Sequence, residues 1–191
     1  MAITQSAPEE SPVGPAATRA RQRHWGQLAV WVLFAALMIL VGVKLYQVTL
    51  GPVSSGGAPD FTLTTFEGES HTLSDYQGQV VVINFWASWC GPCELEAADL
   101  EQAWRDYKER GVLFLGIDYV DTETEARAYL QKRGVTYPNG PDLRTAISQA
   151  YRIKGVPETY IVGKDGSVTE TIIGPTDYAR LTAILDRLLN E

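Results

Sequence analysis

Two sulfurs carry the reactive chemistry of this chain. Cys90 and Cys93 are its only cysteines, and they stand in the stretch Trp89-Cys90-Gly91-Pro92-Cys93. A disulfide between them would close a loop too small to staple a fold, so the pair reads as chemical rather than architectural. The thiolate, not the thiol, attacks a disulfide sulfur, and a working site must stabilise one cysteine as an anion. Cys90 falls where an apolar run, Val80 to Trp86, gives way to a helical pattern. The unpaired N–H groups and the positive dipole end of a starting helix favour an anion there. Pro92 suits a first helical turn, which does not need its missing N–H. Cys93 follows one turn on, within reach of Cys90. The spacing predicts Cys90 as the attacking thiol and Cys93 as the resolving thiol that completes the exchange.

Other uses of the two sulfurs fit less well. A zinc site would need two more ligands, and the only histidines are His24, beyond an apolar segment, and His71. No histidine follows Cys93, so covalent haem attachment is excluded. No cofactor or resident metal is expected. A copper-carrying or chaperone-like binding module is the alternative of another class, since soft thiolates select Cu(I). Glu96 follows Cys93 by one helical turn and projects from the same side. A carboxylate there disfavours thiol ionisation, so Glu96 is either a group that holds and accepts the Cys93 proton or an acid that merely suits the helix dipole.

The elements that must position these residues read as an α/β domain. Phe61 to Leu63 and His71 to Leu73 flank a Glu67-Gly68-Glu69 turn and predict a hairpin. Val80 to Trp86 is a strand buried on both faces. Leu100, Trp104 and Tyr107 recur at helical spacing until Gly111; Val112 to Tyr119 is a second apolar strand. Helices are predicted over Thr122 to Arg133, Leu143 to Arg152 and Tyr178 to Leu189, and an antiparallel hairpin over Thr159 to Val162 and Val168 to Ile173. This order demands a central mixed sheet covered by helices on both faces, with the second hairpin at its edge.

Residues 1–50 carry a net +2 and the remainder −9 of a total −7. An acidic body repels phosphate backbones, so nucleic acid is a poor partner. Leu28 to Val43 is free of charge, and the apolar character runs past Lys44 to Leu50. That suffices for one membrane span. Arg19, Arg21 and Arg23 precede it, which places the amino terminus in the cytoplasm and the rest outside. The expected organisation is a disordered cytoplasmic tail over 1–24, a transmembrane anchor over 25–50, a flexible linker over 51–59 and the folded domain over 60–191. A cleaved signal peptide is the rival; Pro59 after the small residues Gly56 to Ala58 makes a poor cleavage site.

Phe85-Trp86-Ala87-Ser88-Trp89-Cys90-Gly91-Pro92-Cys93 resembles the thioredoxin active-site signature. From Ala58-Pro59-Asp60-Phe61 through the last helix, including the insertion around Thr122 to Arg133, the chain resembles the membrane-anchored TlpA, ResA and CcmG (DsbE) group of extracytoplasmic thiol-disulfide oxidoreductases. The resemblance implies a thioredoxin-like fold and a catalytic role for Glu96 beside Cys90 and Cys93. It makes Gly155-Val156-Pro157-Glu158-Thr159 the loop facing the cysteines, with Pro157 as the cis-proline. Trp89, Val156, Pro157 and Glu158 are then the expected substrate-contact residues; an exposed charge at Glu158 and a trans turn proline at Pro157 are the plainer readings. Asn84 stands where cytoplasmic thioredoxin is expected to carry a buried aspartate, so any internal proton acceptor must be Glu96 or Glu158. The resemblance further implies a protein-disulfide reductase acting on oxidised apocytochrome c, with a transmembrane electron donor of the CcdA or DsbD type. Another client, such as a copper-site assembly protein or a periplasmic enzyme, is the near alternative, and a peroxidase a more distant one.

Overall fold

A computed structural model gives the structure of the chain and describes residues 16–49 and 51–191. The chain divides into two units at Leu50/Gly51. The first holds helix α1 (Ala16–Thr49). Its window Gln27–Leu45 has a mean hydropathy of 2.5 with none of its surface buried, long and apolar enough to cross a membrane. Residues 16–24 are helical, which corrects the expectation of a disordered tail there: Ala16, Ala17 and Ala20, interleaved with Arg19, Arg21 and Arg23, are strong helix formers that simply extend the apolar helix. The rest of the expected tail lies outside the described residues.

The second unit contains strands β1 (Thr62–Thr64), β2 (Ser70–Thr72), β3 (Val80–Trp86), β4 (Val112–Asp118), β5 (Asn139–Pro141), β6 (Glu158–Val162) and β7 (Val168–Ile173). Between them run helices α2 (Gly91–Tyr107), α3 (Glu123–Arg133), α4 (Ala146–Tyr151) and α5 (Tyr178–Asn190). β1 and β2 form the expected hairpin, and the main sheet has the order β5-β4-β3-β6-β7. β3 is parallel to β4 and antiparallel to β6, so the sheet is mixed.

The pleat of β3 explains the layers. Val81, Ile83 and Phe85 point to one face, where they pack with Phe61, Leu63, Tyr151 and Tyr160. Val80 and Val82 point to the other, against Leu100 and Ala103 of α2 and Leu181 and Leu185 of α5. Asn84 and Trp86 continue that second row. A polar side chain is thereby aimed under α2 by its parity alone.

Three local expectations are corrected. The segment 51–59 is not a free linker: Val53 is buried, its N–H bonds Tyr151, and the Val168 N–H bonds Gly56 while Ala58 bonds Gly166. An apolar side chain and a sheet edge with free donors and acceptors together capture it. The helix expected over Leu143 to Arg152 is reduced to α4, because Arg144 (φ 63°) and Thr145 (φ 56°) are left-handed and break the first turn. β5 was not anticipated, since Asn-Gly-Pro has no strand pattern; Gly140 makes it possible, as a Cβ there would meet the Thr64 carbonyl at 2.3 Å.

Candidate active site

Cys90 is the N-cap of α2, in extended conformation, with Pro92 in the first turn. It forms a disulfide with Cys93, and its Sγ accepts the Cys93 N–H at 3.2 Å. That amide, at the positive end of a 17-residue helix, is the donor that would stabilise a Cys90 thiolate. Both cysteines are buried and pack with Trp86, Ala87, Ala97 and Tyr129, while Val156 lies against the same cluster.

The face around Cys90 opens to solvent. Trp89 is 60% exposed, and its indole N–H donates to the Val120 carbonyl at 3.0 Å. The Ser88 N–H donates to Asp121 at 2.6 Å, so the β4–α3 connection braces the turn that carries Cys90. The Val156–Pro157 bond is cis, as the resemblance implied, and Gly174 N–H donates to the Pro157 carbonyl.

Behind Cys93 the site is closed. Glu96 is 1% exposed. Asn84 Nδ2 donates to its Oε1 at 2.8 Å and to Thr159 Oγ1 at 3.0 Å; the Thr176 N–H donates to its Oε2 at 2.9 Å. Burial pushes the Glu96 carboxyl up to about 7, and the bonds from Thr176 and Asn84 oppose that rise without cancelling it. Cys93, Glu96, Asn84, Trp86 and Tyr129 line one cavity of about 10 Å³. Tyr129 stacks on Trp86 and donates its hydroxyl to the Cys93 carbonyl at 3.0 Å, and burial holds its phenol up at about 12.

Glu158 is placed differently from the expectation. It is 1% exposed, and its carboxylate turns into its own loop: Oε1 accepts the N–H groups of Lys154 (2.7 Å) and Gly155 (3.2 Å), and Oε2 the Tyr160 hydroxyl (2.7 Å). A side chain spent on three internal donors presents no charge to a partner; it acts on the loop that carries Pro157. The parity of β6 explains this, because Glu158, Tyr160 and Val162 share the row that packs against Tyr151.

Sequence reasoning did not single out Thr159, Thr176 or Tyr129 as parts of this site, and treated Asn84 only as a missing acid. A lone polar residue in Val80–Trp86 was the signal available for Asn84. Asp118 was also missed: it is buried at the end of β4, its Oδ1 without a partner, and burial together with Asp121 pushes its carboxyl up to about 7.

A mixed sheet with a cysteine pair capping the helix after its central strand and a cis-proline loop beside it defines a thioredoxin-like thiol-disulfide oxidoreductase. The AhpC/TSA family profile matches residues 56–171. The chain belongs to that thioredoxin-like family, and within it to the TlpA/ResA/CcmG group. The thiol-disulfide oxidoreductase ResA of Bacillus cereus (strain ZK / E33L) is 33% identical over 166 residues, covering 82% of this chain and 96% of that protein. ResA of Geobacillus kaustophilus is 32% identical over 75% of this chain and 82% of its own length. Among solved structures, a thioredoxin-family thiol:disulfide interchange protein from Chlorobium tepidum TLS superposes with a TM-score of 0.65 at 26% identity, covering 73% of this chain and 98% of that one. A secreted Mycobacterium tuberculosis disulfide oxidoreductase homologous to E. coli DsbE gives 0.61 at 25%, over 67% and 96%.

Proposed function

We propose that the chain is an extracytoplasmic disulfide reductase, anchored by α1 with its amino terminus in the cytoplasm, whose client is the oxidised haem-site cysteine pair of apocytochrome c. The observation that carries the reductase direction is Glu96, an acid sealed in the cavity that Cys93 lines. A thiol pair whose reduced form is stabilised as thiolate is a strong oxidant, and an acid beside the resolving sulfur works against that form. Membership of the TlpA/ResA/CcmG group, whose resemblance implied an apocytochrome c client, supports cytochrome c maturation over other clients.

In the proposed cycle the Cys90 thiolate attacks one sulfur of the client disulfide, and the other client sulfur leaves as a thiolate. Cys93 then gives its proton to Glu96 and attacks Cys90; the Cys90–Cys93 bond forms, and the bond between Cys90 and the client breaks. The client departs with both sulfurs reduced, and two electrons have passed from the protein to it. Return to the dithiol needs a dithiol donor, and an anchored domain outside the cytoplasm suits a transmembrane donor of the CcdA or DsbD type. Val156 packs against the cluster that holds both cysteines, and with Trp89 and Pro157 it would pair with an extended client segment, as in strand addition.

The test is the rate at which the reduced full chain, in detergent micelles, reduces an oxidised C-x-x-C-H peptide against an unrelated disulfide peptide. At least a tenfold preference for the first is expected; equal rates would shift the client to a general or copper-site protein. A couple far above about −200 mV would reverse the direction.

A further inference from the structure

Val120, in the connection between β4 and α3, has a φ of 49°. A β-branched side chain is strained in this left-handed region, which Gly and Asn enter cheaply. The other non-glycine residues with positive φ among the described ones, Arg144, Thr145 and Arg152, carry polar side chains and border the short helix α4. Val120 is the apolar exception. Its backbone is fixed from both sides: the Tyr119 N–H donates to the Trp86 carbonyl at 2.8 Å, the Val120 carbonyl accepts the Trp89 indole N–H at 3.0 Å, and Asp121 accepts the Ser88 N–H at 2.6 Å. Those bonds account for the conformation, yet none of them uses an atom of the valine side chain. That side chain is 59% exposed, so burial within the chain does not offset the strain either.

We infer that Val120 is a specificity-determining residue that, together with Trp89, contacts an apolar side chain of the polypeptide flanking the reacting disulfide. Strain held at an exposed position by the surrounding bonds is a mark of function. Residues 119–121 are tied one after another to the segment 86–89 that leads into Cys90, and Trp89, the chain neighbour of Cys90, is itself 60% exposed. Two large apolar side chains, each more than half exposed and linked by one hydrogen bond, form a surface that sheds water only when a partner covers it. An apolar residue beside the client disulfide gains from covering it; a hydroxylated one does not. The connection therefore has two tasks: the Val120 carbonyl holds the Trp89 ring, and the Val120 side chain reads what the ring lies against. The inference deepens the proposed function and rests on its exchange step, not on the identity of the client.

The experiment compares two oxidised C-x-x-C peptides without histidine, flanked on both sides by leucine or by serine, as substrates of the reduced full chain in detergent micelles. In each exchange the dithiol of the chain becomes the Cys90–Cys93 disulfide and the peptide disulfide becomes a dithiol. The wild type is expected to reduce the leucine peptide about fivefold faster at low peptide concentration, the effect of covering one methyl-sized group. Val120→Gly keeps the carbonyl that holds Trp89 and relieves the strain; it is expected to keep or raise the urea midpoint while the leucine preference falls below about twofold. Val120→Asn, which also tolerates positive φ, is expected to behave alike and serves if glycine loosens the connection, and Val120→Ile is expected to retain the preference. Reduction of hydroxyethyl disulfide, which brings no flanking residue, should be equal in every chain. Equal wild-type rates on the two peptides overturn the inference, as does a preference unchanged in Gly and Asn. So does a urea midpoint lowered in both, or a hydroxyethyl disulfide rate that falls with the peptide rate. None of these outcomes involves a C-x-x-C-H peptide, so failure here is distinct from failure of the apocytochrome c reading.

Discussion

Glu96 and Glu158 are both sealed from solvent within the same site, yet they are held in different ways. Glu158 meets three donors, two of them N–H groups of its own loop and the third a hydroxyl two residues away on the same strand. Glu96 meets two, contributed by separate elements, and burial still pushes it up to about 7. A carboxyl supplied with enough local donors becomes a structural anchor. One supplied with fewer, in a cavity shared with a thiol, is held by burial up to about 7, which suits the proton exchange proposed for it.

The largest effects test whether both acids serve one centre. Cys90→Ala is expected to abolish disulfide turnover, and Cys93→Ala to stop after one step with the client held on Cys90, visible as a mixed disulfide on a non-reducing gel. Next comes Glu158→Ala, which removes the carboxylate that accepts the Lys154 and Gly155 amides and the shorter bond of the Tyr160 hydroxyl. A loss of about 3 kcal/mol in urea unfolding is expected, with KM for the client peptide raised more than kcat is lowered; the Gln variant should recover part of both.

For Glu96 the sign follows from the shift. Its folded value, about 7, lies above the ordinary 4.5, so the folded state binds the proton more tightly. The stability this provides is complete below pH 4.5 and disappears as pH rises through 7, a change of about 3 kcal/mol. Urea midpoints from pH 4 to 8 should therefore fall less for Glu96→Gln than for the wild type. Resolution by Cys93 should quicken through pH 7 in the wild type and lose that inflection in the variant. If Glu96 gave a flat profile, the contrast drawn above would fail.

The smallest effect is expected at Trp89. Being largely exposed, Trp89→Ala should change stability by less than about 0.5 kcal/mol, while the KM of the client peptide rises several-fold.

Much of this centre was legible in the residues. Two cysteines three apart, Pro92 between them and an apolar run ahead of them predict a strand-to-helix junction, because helix starts and buried strands have local causes. Glu96 could be placed on the Cys93 side of the helix by spacing alone. Its burial could not, because that depends on Asn84, twelve residues earlier, and Thr176, eighty residues later. The capture of 51–59 by the β7 edge and the strand made from Asn139-Gly140-Pro141 are likewise products of distant partners, which leave no periodic mark in their own segments.

The sequence by itself determined the reactive pair, the order of the periodic strands and helices, and a helix apolar enough to enter a bilayer, since composition and short-range spacing govern all three. Only the tertiary structure decided which acid faces the sulfurs and which is consumed in holding a loop. Both are single glutamates beside a conspicuous motif, and a carboxyl's behaviour is set by the donors and the solvent that the folded chain brings to it or keeps away.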